Sequence, residues 1–109
     1  MIKLNLIVIR TKTLESTVQW YSKTFDLSFV AEKHDNGVLH YSTQISDGMI
    51  EIYPTKQSAS KITFGIAVDR ICFEKVVLRE RYRIIGEGLI LIKDYDGNSI
   101  IVNFTPQTT

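Results

Sequence analysis

One order of elements occurs twice in this chain, and it constrains the fold more than any single motif. Residues 3–10, KLNLIVIR, are rich in aliphatic and β-branched side chains and predict a strand. Leu14, Val18, Tyr21 and Phe25 follow at i, i+4, i+7 and i+11, the apolar stripe of a helix. Thr13 offers a hydroxyl N-cap, Glu15 faces the positive helix end, and Asp26 is the stop. Three strand-like runs come next. Leu27 to Lys33 ends at the turn formers His34-Asp35-Asn36-Gly37, Val38 to Thr43 ends at Ser46-Asp47-Gly48, and Met49 to Tyr53 stops at Pro54. Asn-Gly and Asp-Gly between short β runs are hairpin signals.

Residues 55–60, TKQSAS, are small and polar with no periodicity, and read as a linker. The same order then returns. Ile62 to Val68 is a strand, and Asp69 can cap a helix carrying Phe73, Val76 and Val77. Tyr82 to Ile85, Leu89 to Ile92 and Ser99 to Phe104 are strands, with Asp96-Gly97-Asn98 turning between the last two. An internal repeat of about half the chain is a fold-level signal. The expectation is a single α+β domain over 1–109, built as two tandem βαβββ modules, 1–54 and 61–105, that form a curved mixed sheet around a concave pocket. Each helix covers one sheet face, so the other is left for a pocket or an interface. The tail, TPQTT, is expected to fray.

Composition narrows the function classes. With 109 residues there is room for one compact core and not two. The formal net charge is +1 and the basic residues are scattered, which argues against a nucleic-acid surface. The densest basic stretch, Arg79, Arg81 and Arg83, reads as a solvated helix end or edge strand rather than a phosphate site. The one cysteine, Cys72, lies in the second helix and reads as a small apolar residue. No stretch is apolar enough to span a membrane, and the first strand lacks the parts of a signal peptide, so a cytoplasmic setting is expected.

Two segments carry a family resemblance: IRTKTLESTVQWYSKTFDLSF at 9–29 and LIKDYDGNSIIV at 91–102. The first resembles the strand-to-helix passage of the glyoxalase/bleomycin-resistance/extradiol-dioxygenase superfamily, the vicinal oxygen chelate proteins. The second resembles that superfamily's Asp-Pro-Asp-Gly-Asn turn, with Tyr95 where proline is usual. Asp26 stands where the superfamily commonly has a helix-ending glycine, so a strained turn is expected there. Metal-dependent members hold a divalent ion on the concave face with His and Glu side chains. Carried over by position, the first-strand ligand falls on Leu6, the fifth-strand ligand on Lys61 or Thr63, and the eighth-strand ligand on Ile101. Only Glu51, on the fourth strand, matches. The resemblance therefore implies a member that has lost the metal site, with no metal and no cofactor. His34 and His40 do not fall on ligand positions, and His34 sits in a turn.

Strand alternation gives a separate reading of the concave face. Ile7, Ile9, Ile50 and Ile52 should face the first helix, leaving Leu6, Val8, Arg10, Met49, Glu51 and Tyr53 on the other side with His40 and Ser42. In the second module Leu89, Leu91 and Ile101 oppose Ile90, Ile92 and Ile100. An amphipathic site follows: Arg10, His40, Glu51 and Tyr53 on one wall, Leu89, Leu91 and Ile101 with Leu6 on the other. A few polar groups in an apolar concavity is what ligand sites look like. The alternatives are a wall packed shut or covered by a second subunit, an ordinary hydrogen-bonded His40, and a structural Arg10–Glu51 pair. Trp20 and Tyr21 are assigned to helix packing.

Three functions remain open. The first is a metal-free protein of the bleomycin-resistance type that binds a small amphipathic molecule, as a homodimer. That branch's cationic ligand suits an acidic groove, which a near-neutral chain does not obviously supply, so antibiotic resistance is not inferred. The second is a lyase- or isomerase-like enzyme with Glu51 as general base and His40 or Arg10 assisting. The third is an interaction module with no small ligand.

Overall fold

The structure is a computed structural model and describes residues 1–35 and 37–104. Both halves carry the expected elements: β1 (Leu6–Thr11), α1 (Leu14–Phe25), β2 (Val30–Glu32), β3 (His40–Ile45) and β4 (Gly48–Pro54), then β5 (Thr63–Val68), α2 (Arg70–Arg79), β6 (Arg83–Gly86), β7 (Leu89–Lys93) and β8 (Ser99–Phe104). The mixed sheet is divided in two, one per module, with orders β1-β4-β3-β2 and β5-β8-β7-β6. In each, the first strand pairs parallel with the last, which requires a crossover that the helix supplies. The remaining pairs are antiparallel. Asn36 of the expected first turn and the tail from 105 onward lie outside the described residues.

Local chemistry explains where the strands begin and end. β2 is shorter than Leu27 to Lys33 because Leu27 and Phe29 pack against the core instead of entering the ladder. β3 and β4 meet at a two-residue turn, Ser46-Asp47, with Ile45 opposite Gly48. Gly48 thus opens a strand rather than closing the turn. A Cβ there would come 3.2 Å from the Asn5 carbonyl oxygen, so the close approach of the N-terminal segment favours glycine. Asp26 ends α1 at φ 55°, ψ 50°, the left-handed conformation expected of it. Thr13 does not cap: it occupies the N-cap position, but its hydroxyl lies 3.3 Å from the Thr17 hydroxyl, in a cluster with Thr11. Asp69 caps α2, accepting from the Cys72 N–H at 2.9 Å.

One core serves both modules. It joins Ile9, Ile50 and Ile52 of the first sheet, Ile90, Ile92, Ile100 and Val102 of the second, and the buried faces of α1 and α2. Trp20 and Tyr21 are buried in it, with ring centroids 4.8 Å apart in an edge-to-face arrangement. Tyr21 also reaches across the modules: its hydroxyl donates to Asp94 Oδ2 at 2.6 Å. Burial first, and the carboxylate second, push the Tyr21 phenol well above its ordinary range. Asp94 closes the β7–β8 turn, accepting from the backbone N–H groups of Asp96 and Asn98 and from the Asn98 side chain. Gly97, at φ 89°, supplies the left-handed step that lets the turn fold back. The family-like DYDGN motif is thus a structural clip. Residues 55–60 do not hang free: Thr55 N–H donates to the Thr11 carbonyl and Ser60 N–H to the Arg10 carbonyl. Among the described residues, no helix is long and apolar enough to cross a membrane.

Candidate ligand site on the first sheet

The period-two alternation of β1, β3 and β4 sorts their side chains as expected. Ile9, Ile50 and Ile52 are buried on the helix side. On the opposite face Arg10 lies across from Tyr53, and His40 across from Glu32. His40 stacks on Tyr53 with centroids 4.2 Å apart and planes 10° from parallel, so the two pairs make one row. The Arg10 guanidinium carbon is 5.5 Å from the Tyr53 ring centroid, within cation–π range. In the next row Glu51 lies between Val8 and Ser42.

Among the described residues Arg10 and Glu51 form no ion pair: Arg10 lies across from Tyr53 and Glu51 across from Val8. The Glu51 carboxylate instead lies 3.8 Å from His40 Nε2. His40 is nearly inaccessible at 1% exposure, since Tyr53 covers one side of its ring and the His34 ring lies 5.4 Å away. Its Nδ1 is 3.1 Å from the Val38 carbonyl oxygen. A carbonyl only accepts, so Nδ1 carries the proton, and in the neutral ring the lone pair is on Nε2. Among the described residues that buried Nε2 has no hydrogen-bond partner.

Sequence reasoning did not include Glu32, His34 and Ser42 in this site. Ser42 Oγ donates to Glu32 Oε1, and Glu32 Oε2 lies 3.3 Å from His34 Nε2 and 3.9 Å from His40 Nε2. The Ser42 hydrogen bond first, and the two imidazoles after it, hold the Glu32 carboxyl below its ordinary range against a desolvation penalty. One donor atom each from Glu32, His34 and His40 lies within 4.8 Å of the others. The Glu32-x-His34 spacing, with both residues on one side of an extended segment, was the available signal.

The aliphatic residues of the proposed second wall lie on the other sheet. Leu91 faces Ile101, and Leu89 faces Asn103, on the side away from buried Ile90 and Ile92. Leu91 lines a groove of about 730 Å³ with Arg79, Arg81, Arg83, Lys93 and Ser99, none of which belongs to the first module. Within one chain, then, Arg10, His40, Glu51 and Tyr53 are brought together, and that groove takes Leu91 without them. Leu6, 45% exposed, lines a separate groove between β1 and β5.

The positions that the resemblance assigns to a metal do not fit one. Leu6 and Ile101 have no donor atom, and the Lys61 ammonium donates to the Asp96 carbonyl. Of that set, Glu51 alone could act as a ligand.

The family model described as Glyoxalase/Bleomycin resistance protein/Dioxygenase superfamily matches residues 3–89. No curated protein matches the chain. Among solved structures, the oxidase ChaP-H2 superimposes with a TM-score of 0.74 at 8% identity, over 99% of this chain and 97% of that one. The fosfomycin resistance protein FosX from Mesorhizobium loti gives 0.71 at 19% identity, over 94% of this chain and 92% of its own. A lactoylglutathione lyase from Agrobacterium tumefaciens gives 0.66 at 16% identity, with the same 94% and 92% coverage. At such identities these likenesses establish the fold.

Proposed function

We propose a function from this premise: the chain belongs to the Glyoxalase/Bleomycin resistance protein/Dioxygenase superfamily. We propose that it binds a small amphipathic molecule on the first sheet, in a cytoplasmic setting, without a metal at the superfamily's usual positions. The observation that carries this is the convergence of Arg10, Tyr53, His40 and Glu51 on the face away from α1, with buried His40 Nε2 lacking a partner among the described residues. A buried polar atom left unpaired costs about 1–3 kcal/mol, so a ligand group that satisfies it gains that much. The polar end of the molecule lies near these four residues. Its apolar end lies against Leu89, Leu91 and Ile101.

Those three aliphatic residues belong to the second sheet, so the proposal includes a homodimer in which one protomer's second module faces its partner's first. The exposed apolar side chains on the same face as the polar row support it: Leu6, Met49 at 38% and Val30 at 62% exposure. Sedimentation at micromolar concentration should show a dimer. A clean monomer would remove the shared pocket.

A second reading treats Glu51 as a general base. The place of its carboxylate 3.8 Å from His40 Nε2 favours it, since a water or substrate group between the two relays a proton. Binding itself is tested by native mass spectrometry of the purified protein. The expected result is a retained small molecule that is released on denaturation. If no molecule is retained and none from a broad metabolite panel raises the melting temperature, the binding function is wrong.

A further inference from the structure

We infer that Glu32, His34 and His40 together hold a divalent transition-metal ion of the zinc class, on residues other than those the superfamily uses. The inference rests on the reading of this face as the protein's site and adds what its polar row binds.

The distances suit a shared cation better than direct contacts. Bonds of about 2.0–2.2 Å in a tetrahedral site set donor atoms about 3.3 Å apart. Here Glu32 Oε2 lies 3.3 Å from His34 Nε2 and 3.9 Å from His40 Nε2, and one donor atom from each of the three lies within 4.8 Å of the others. The approach of His40 Nε2 to the Glu32 carboxylate is too long for a hydrogen bond. It is close to the spacing of ligands around one ion.

The protonation pattern points the same way. Val38 holds the proton on His40 Nδ1, which aims the Nε2 lone pair at two carboxylates. An imidazole lone pair facing a carboxylate is unfavourable unless a positive charge lies between them. Among the described residues the buried His40 Nε2 has no hydrogen-bond partner, so its lone pair is available to a cation. The surrounding hydrogen bonds match metal sites as well. Ligating imidazoles donate their second nitrogen to a carbonyl or carboxylate, and ligating carboxylates are themselves hydrogen-bonded. Val38 does the first for His40 and Ser42 does the second for Glu32. Two imidazoles and one carboxylate form a set suited to zinc and its neighbours, with a coordination position left open. His34 is exposed while His40 is buried, so an ion has an open side from which to enter and on which to meet a ligand.

The test uses the full chain, stripped with a chelator and titrated with zinc chloride alone. Calorimetry gives affinity, and elemental mass spectrometry after gel filtration gives stoichiometry. One ion per chain is expected. His34→Ala and Glu32→Gln should each weaken binding roughly 100-fold, and Ser42→Ala roughly 10-fold through the orientation of Glu32. Circular dichroism of the metal-free variants checks that they fold, which His34→Ala should pass readily because its side chain is exposed. Failure of the parent chain to take up zinc overturns the inference and leaves a proton to fill the gap at His40. Uptake that both variants retain undiminished also overturns it. A chain that retains a small molecule but no zinc overturns the metal and keeps the binding function. A chain that holds zinc in these residues but retains no small molecule supports the metal and removes that function.

Discussion

Replacing Asp94 by alanine should cost the fold about 3–5 kcal/mol, by the loss of a buried acceptor shared among several donors. Asp94 Oδ1 accepts from two backbone N–H groups, and Oδ2 accepts from Asn98 Nδ2 at 2.8 Å and Tyr21 Oη at 2.6 Å. Asn98 and Tyr21 are fully buried, so their donors cannot all turn to water. The individual penalties do not add fully, because the cavity admits some solvent. For a chain of this size the melting temperature should fall by roughly 15–25 °C. Tyr21→Phe removes one of the four bonds and should cost about 1–2 kcal/mol. Thermal unfolding by circular dichroism measures both. If Asp94→Ala melts within a few degrees of the parent, the turn is not the clip that joins α1 to the second module.

That clip shows where sequence reading runs out. The DYDGN turn was legible because glycine and the flanking Asp and Asn have strong local preferences. Its partner Tyr21 is 73 positions away, and no local rule links them. Alternation carried further. The burial of Ile50, Ile52, Ile90, Ile92, Ile100 and Val102 follows directly from a period of two, and so does the placement of Arg10, His40, Glu51 and Tyr53 on one face. Alternation assigns a face and leaves the partner open. It allowed an Arg10–Glu51 pair, whereas the side chains come to rest with Arg10 near the Tyr53 ring and Glu51 near His40. His34 was set aside as a turn residue because β2 was expected to run to Lys33. The strand ends at Glu32, and the chain then brings His34 beside His40. A side chain just past a strand end is placed by the loop's return path, which composition does not encode. Thr13 fails as a cap for a similar reason: Thr11 and Thr17 offer its hydroxyl competing partners.

Tyr53→Ala should weaken binding of a retained small molecule by about 1–3 kcal/mol, roughly five- to 150-fold. Tyr53 sits between Arg10 and His40, with a guanidinium 5.5 Å from its ring centroid and an imidazole stacked at 4.2 Å. Removing the ring takes away contact area for the ligand and also the surface that fixes both neighbours. Tyr53→Phe keeps the stacking and loses only the hydroxyl, so its effect isolates a direct hydrogen bond to the ligand. Glu51→Gln keeps the shape and removes the charge. It should weaken a cationic or proton-donating ligand most, and it should abolish turnover if Glu51 acts as a base. Calorimetry with the retained molecule measures the first two variants, and product formation measures the third. If all three behave like the parent, the ligand lies elsewhere, and the arginine-lined groove around Leu91 is the next place to look. Loss of binding in Tyr53→Ala with full retention in Tyr53→Phe would show that the ring is needed and the hydroxyl is not. The ring has neighbours to hold, since Tyr53 is the cross-strand neighbour of Arg10 and the stacking partner of His40.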